Sequence, residues 1–326
     1  MEFQLPITIP SLPQPIRYED KILLTGSCFT EHIGGALRDW KFRTLQNPNG
    51  ILFDPASVAS SLISYIEPRC YTEDDLVFSN ELWQSWQHHS VYSQVDRAEC
   101  LRGINASQVR AHGFLREADW LIITLGSAFS YRLADGGMAV ANCHRAPGQT
   151  FQKHLMTIEE IHTVLDGCLH QLLYFNPRLR VIFTVSPVRH IRDGVVDNNR
   201  SKARLIETVH HLVGKWDRLY YFPAYELVID VLRDYRFYDV DMVHPNYPAT
   251  AFVLEKFVRH CIDEPGQRLL EEVRKIVTAR RHRPLHAATQ AHRRFLQEHG
   301  QKAAELVRQY PFLDFREELE YFGGIC

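Results

Sequence analysis

Residues 21–37 read KILLTGSCFTEHIGGAL. The stretch opens on an apolar run, passes through Gly26 and Ser27, and continues as an amphipathic pattern carrying Ile33 and Leu37, which reads as strand, sharp turn and helix. A strand that is apolar without alternation is covered on both faces, as in a parallel sheet flanked by helices. DWLIITLG at 119–126 and RVIFTVSP at 180–187 have the same character, and a shorter strand, LYYFP, follows at 219–223.

Helical patterns separate these strands. One follows FDPAS, with Pro55 suited to a first turn and Val58, Leu62 and Tyr65 on one face. Another spans 157–175, where TIEE supplies a capping box and Ile161, Leu165, Leu169 and Leu172 the apolar stripe. A third occupies 201–216. Strands alternating with helices imply parallel crossovers and a three-layer α/β sandwich. The stretch around 70–105, with SNELWQSWQHHSVYSQ, is aromatic and polar without a sustained period and reads as an insertion. After His260 the pattern turns to helical segments broken at Pro284. The expected organisation is an α/β domain over 1–262 and a helical C-terminal extension over 263–326.

The 326 residues are 45% hydrophobic and 23% charged, enough material for a sizeable core. With 37 basic and 39 acidic residues the net charge is −2, so no overall field attracts nucleic acid or an anionic membrane. The opening MEFQLPITIPSLPQPI lacks the basic start and apolar centre of a signal peptide, and no apolar stretch reaches the roughly 18 residues that span a bilayer. The expected location is cytoplasmic. Cys28, Cys70, Cys100, Cys143, Cys168, Cys261 and Cys326 form no CxxC pair and read as small buried hydrophobes, with no disulfide framework, metal or cofactor required.

Ser27 follows the first strand directly, at the carboxyl edge where open α/β sheets bind ligands. The same position suits an ordinary N-cap serine. In DVDMVHPN, Asp241 and His244 are three residues apart, so the carboxylate can fix the imidazole while its other nitrogen deprotonates a serine. As a bare spacing this also describes a surface ion pair. Its place after the last strand and ahead of a final helix, with Pro245 and Pro248 setting the loop, gives it weight.

The opening TGSCFTEHIG resembles the signature of the GSCFA family, of the SGNH-hydrolase (GDSL-like) superfamily. NPNGILFDP, ITLGSAF, VANCHRAPGQTF, TVSPVRHIRDG, NRSKARL and YFPAYELVIDVLRDYRFYDVDMVHP are similar to that family too, so the resemblance runs from about Lys21 to about His260. It implies a flavodoxin-like parallel sheet, Ser27 as nucleophile, Asp241 and His244 as acid and base, and hydrolysis of an ester or similar acyl linkage. The implied substrate is a small-molecule or glycan acyl ester, and an O-acyltransferase is the variant on the same scaffold.

An acyl-transfer site also needs preorganised oxyanion donors. The Ser27 N–H is the natural first, and the resemblance suggests Gly50 in NPNG as the second. The third-block Asn of SGNH enzymes has no counterpart, because GSAF stands where GxND is usual. Asn142 is the replacement favoured here and Asn49 the next; turn chemistry is the competing role for Asn142. His144 is a further substrate-binding candidate, and Arg189 and His190 after the third strand suit a substrate carboxylate or phosphate, or else a structural loop network. The missing Asn motivates a different class of reading, a catalytically silent module that binds a glycan or acylated ligand. A third is an interaction protein whose helical tail docks a partner. The basic VRKIVTARRHRPLHAATQAHRRFLQ lacks an aromatic platform and reads as a solvated helix face.

Overall fold

The computed structural model describes residues 5–286 and 288–323, so Met1–Gln4 and Cys326 lie outside the described residues. β1 (Lys21–Gly26) enters α1 (Cys28–Asp39) through Ser27 alone. β2 (Arg43–Gln46), α2 (Pro55–Ile66), a small hairpin of β3 (Val77–Ser79) and β4 (Leu82–Gln84), and α3 (Arg97–Glu117) lead to β5 (Trp120–Leu125). An antiparallel excursion of β6 (Phe129–Leu133), β7 (Ala139–Val140) and β8 (Phe151–Leu155) precedes α4 (Ile158–Phe175), β9 (Arg180–Val185), α5 (Gly194–Lys215) and β10 (Leu219–Tyr221). The short α6 (Ala224–Glu226) continues as a π-helical segment, Leu227–Leu232, and α7 (Tyr247–Cys261), α8 (Glu264–Arg280), α9 (Gln290–Gln309) and α10 (Arg316–Phe322) follow.

The central sheet is parallel throughout, in the order β10-β9-β5-β1-β2. That is the expected flavodoxin-like order. Alternation along each strand feeds two cores. Ile22, Leu24, Ile122 and Ile182 pack with Phe29 and Ile33 of α1, Phe257 of α7 and Leu270 and Val273 of α8. Leu23, Leu121, Ile123 and Phe183 pack on the other face with Leu62 of α2, Leu165 of α4 and Leu205 and Val209 of α5. Helices on both faces make the three layers.

Gly26 explains the sharp turn. Its φ is +136°, and a Cβ there would lie 2.1 Å from the Thr124 carbonyl oxygen, so no other residue fits between β1 and β5.

Three features differ from the sequence reading. The helical pattern expected to start at 201 starts at Gly194, with Val195 and Val196 exposed in its first turns. β2 was not anticipated, because its four residues carry only one aliphatic side chain, Leu45. The insertion around 70–105 stops short of its expected end, since Arg97 onward is the crossover helix α3. Its stripe is thin: Ser107 and Gln108 are buried among Cys100, Ile104, Ala111 and Leu115, so the apolar periodicity is diluted.

The C-terminal extension shares the core. α8 covers the sheet, and Ala303, Leu313, Phe315 and Phe322 join the same buried cluster. Glu318, 1% exposed, pairs with Lys41 at 2.8 Å, which fastens α10 to the loop after α1.

Candidate functional site

Ser27 sits at the carboxyl edge of the sheet, at the N-cap position of α1 with φ −69° and ψ 173°. Its hydroxyl makes no capping bond and has no hydrogen-bond partner, although the residue is only 1% exposed. An orphaned buried hydroxyl costs about 1–3 kcal/mol and calls for an explanation. Its N–H donates to the Thr124 carbonyl at 3.0 Å. Gly126 lies against it: a Cβ there would be 3.1 Å from the Ser27 Cβ and 3.2 Å from the Phe53 ring. The Thr30 and Thr124 hydroxyls nearby are buried and without partners as well.

The loop ahead of α7 is built around Asp241. Its Oδ1 accepts the N–H groups of Val243 and His244 at 2.9 and 3.0 Å, while Oδ2 lies 2.6 Å from Nδ1 of His244. The bond to His244 and those two N–H groups hold the Asp241 carboxyl down at about 2. With Nδ1 engaged, the only His244 ring nitrogen left for another group is Nε2. Partial burial lowers the pKa of His32 on α1, with Glu31 opposing and His244 adding to the shift. The Asp–His hydrogen bond is made; a Ser27–His244 hydrogen bond is not, since the Ser27 Oγ is unpartnered.

Arg189 braces the loop from the end of β9. Its N–H donates to the Val243 carbonyl at 3.2 Å, its guanidinium donates to the Met242 carbonyl at 3.2 Å, and the guanidinium stacks 4.0 Å from the Tyr238 ring centroid. The structure thus commits this guanidinium to the loop. His190 faces Phe53 edge-on at 5.8 Å, and burial followed by the Lys202 charge pulls its pKa down to about 4. Asn142, Arg189 and His190 line one cleft of about 390 Å³ with Phe53 and Asp54. Asn142 lines that cleft, and its Oδ1 accepts the His144 N–H at 2.9 Å, a turn contact.

The remaining expected residues have contacts of their own. His144, in a left-handed conformation with φ 47°, bonds the Ser85 carbonyl at 2.8 Å and Ser90 Oγ at 3.2 Å, pinning the 70–96 insertion. Asn49 accepts from Tyr65 at 2.9 Å and donates to the Gln87 carbonyl at 3.2 Å. The Gly50 N–H donates to the Asn47 carbonyl at 2.7 Å. Asn47 had no role in the sequence reading, yet its Oδ1 accepts the Gly26 N–H at 3.0 Å and its Nδ2 is buried without a partner. It is the buried side-chain amide with an uncommitted donor beside the turn that carries Ser27.

Lys202 was also passed over, within NRSKARL. It is fully buried on α5, in the stripe of Leu205, Val209 and Leu212, and its Nζ donates at 2.6 Å to the carbonyls of both Gly126 and Ser186. The signal was available as a lone charge at an apolar stripe position. Among the described residues no group of three or more His, Cys, Asp or Glu is placed to hold a metal ion, and no helix is long and apolar enough to cross a membrane.

A family model described as GSCFA family matches residues 21–257, and a second, GSCFA domain protein, C-terminal domain, matches residues 273–323. No curated protein matches the chain. Among solved structures, an acetyl xylan esterase from the rumen bacterium Butyrivibrio proteoclasticus aligns at 14% identity and a TM-score of 0.32, covering 76% of this chain and 64% of that one. This chain therefore spans less than two thirds of that esterase.

Proposed function

This chain belongs to the GSCFA family, and from that premise we propose that it is a serine-dependent acyl-ester hydrolase with Ser27 as nucleophile, His244 as general base and acid, and Asp241 as its orienting carboxylate. The observation that carries the reading is the 2.6 Å Asp241–His244 bond on the loop before α7, at the sheet edge where Ser27 stands buried with an unpartnered hydroxyl. Attack by Ser27 Oγ on an acyl carbonyl passes its proton to His244 Nε2, and Asp241 stabilises the imidazolium. Collapse of the tetrahedral adduct expels the leaving group, which takes that proton. Water resolves the acyl-enzyme in a hydrolase, and an alcohol resolves it in an O-acyltransferase. Ser27 and His244 are not hydrogen-bonded in this conformation, so the proton transfer needs that bond to be made when substrate binds, by rotation of the serine side chain or a shift of the His244 loop.

The oxyanion donors differ from the family expectation. The Ser27 and Gly50 N–H groups are both bonded to carbonyls, so the free Nδ2 of Asn47 is the donor this reading recruits at that edge. The fitting substrate class is a small acyl ester, free or carried on a glycan, admitted through the cleft lined by Asn142 and His190.

The occupied Ser27 and Gly50 N–H groups favour a second reading, a silent module that binds an acylated ligand. A short p-nitrophenyl ester separates the two: turnover by the wild type that disappears in His244→Ala supports the hydrolase, and ligand binding without turnover supports the module.

A further inference from the structure

Lys202 is the one lysine in the buried set among the described residues, and no carboxylate there forms an ion pair with it. An unpaired buried ammonium is costly to desolvate, so its retention calls for a use of the charge itself. Its two 2.6 Å bonds go to the carbonyls just beyond β5 and β9, adjacent strands at the centre of the sheet. A neutral donor could tie two carbonyls together equally well. The first of those residues, Gly126, is the one that packs on the Ser27 side chain. The ammonium therefore lies one residue behind the nucleophile.

Its charge acts on two titratable groups. Cys28 on α1, next to Ser27, has its thiol pushed up by burial while the Lys202 charge pulls against that. His190, after β9, is held neutral by burial and then by Lys202, with Asp193 and Lys153 acting on it in opposite senses.

We propose that Lys202 is a positioning residue of this site: its buried ammonium fixes the Gly126 and Ser186 loops and, while protonated, supplies a positive charge behind Ser27 that favours the negative charge arising as the serine attacks an acyl carbonyl. The inference rests on the serine-hydrolase reading. As the Oγ–carbon bond forms, the serine proton goes to His244 and the carbonyl π electrons move onto oxygen; Lys202 keeps its proton throughout. Fixed charge in a water-poor site acts more strongly than in solvent and needs no reorganisation during reaction.

The test follows the rate of fluorophosphonate adduct formation by intact mass, against pH, in wild type, Lys202→Met, Lys202→Arg and Ser27→Ala. Lys202→Met should label about 10- to 100-fold more slowly than wild type. The wild-type rate should fall on the alkaline side as the ammonium, which burial brings down to about 7, loses its proton. Lys202→Arg, always charged, should keep its rate there. Folded Lys202→Met that labels at the wild-type rate, or a wild-type rate that does not fall relative to Lys202→Arg through the lysine titration, overturns the proposal while leaving Ser27 as nucleophile. If Lys202→Met does not fold, an Arg variant whose alkaline limb matches wild type overturns it equally. No adduct on folded wild type, or an adduct that persists in Ser27→Ala, rejects the nucleophile and the lysine role together.

Discussion

Asp241 Oδ2 lies 2.6 Å from His244 Nδ1, and the other oxygen of the same carboxylate accepts the N–H groups of Val243 and His244. One side chain thus sets both the loop backbone and the imidazole. Asp241→Asn keeps an acceptor for the backbone but presents a neutral amide to the ring. Ester turnover should fall by about 10³- to 10⁴-fold. Because the pair is exposed, the melting temperature should barely move. Steady-state kinetics beside a thermal melt reads both, and unchanged turnover would remove Asp241 from the mechanism.

Arg189 is predicted to act through that loop. Arg189→Ala loses the bond to the Met242 carbonyl and the stacking on Tyr238, and kcat/KM should drop by about tenfold, equivalent to ~1.4 kcal/mol. Lys in its place should not restore activity, since it offers neither the planar stack nor the fork. Rescue by Arg189→Lys would mean that charge alone is used.

Lys202 also leaves a mark on stability. Burial lowers its pKa from 10.5 to about 7 in the folded chain, so between those values the unfolded chain binds more protons and folding is favoured as pH rises. The penalty is present in full below pH 7 and is relieved by about pH 10.5, worth up to about 5 kcal/mol. Denaturant midpoints of wild type minus Lys202→Met should therefore climb across this window. Parallel curves would show that the ammonium is not desolvated.

The C-terminal helices should prove inseparable from the sheet. Glu318→Ala strands Lys41 against a buried surface and should cost about 3 kcal/mol. Truncation after residue 262 removes α8 from its place on β1 and β5 and should give an unfolded or aggregated chain by circular dichroism and size exclusion. A monomeric, folded fragment would contradict the shared core.

Much of this arrangement was legible because each deciding residue carries a local signal. The unalternating strands at Lys21, Trp120 and Arg180 announce a sheet covered on both faces, and Thr157 with Glu160 announces a helix start that the structure places there. α3 was missed because buried Ser107 and Gln108 interrupt its apolar stripe. Positions at the site were harder to read. Whether the N–H groups of Ser27 and Gly50 are free depends on the carbonyls of Thr124 and Asn47, a property of the folded edge that no spacing encodes. Lys202 stood in plain view on the buried stripe of α5, yet its meaning depends on Gly126 lying between it and Ser27.

The central claim is an activated serine at Ser27, and intact-mass analysis of wild type, Ser27→Ala and Cys28→Ala after treatment with a fluorophosphonate tests it most directly. A single adduct on wild type and on Cys28→Ala that is lost only in Ser27→Ala is the predicted result; folded wild type that takes no adduct would contradict the claim and leave the silent binding module as the reading of this fold.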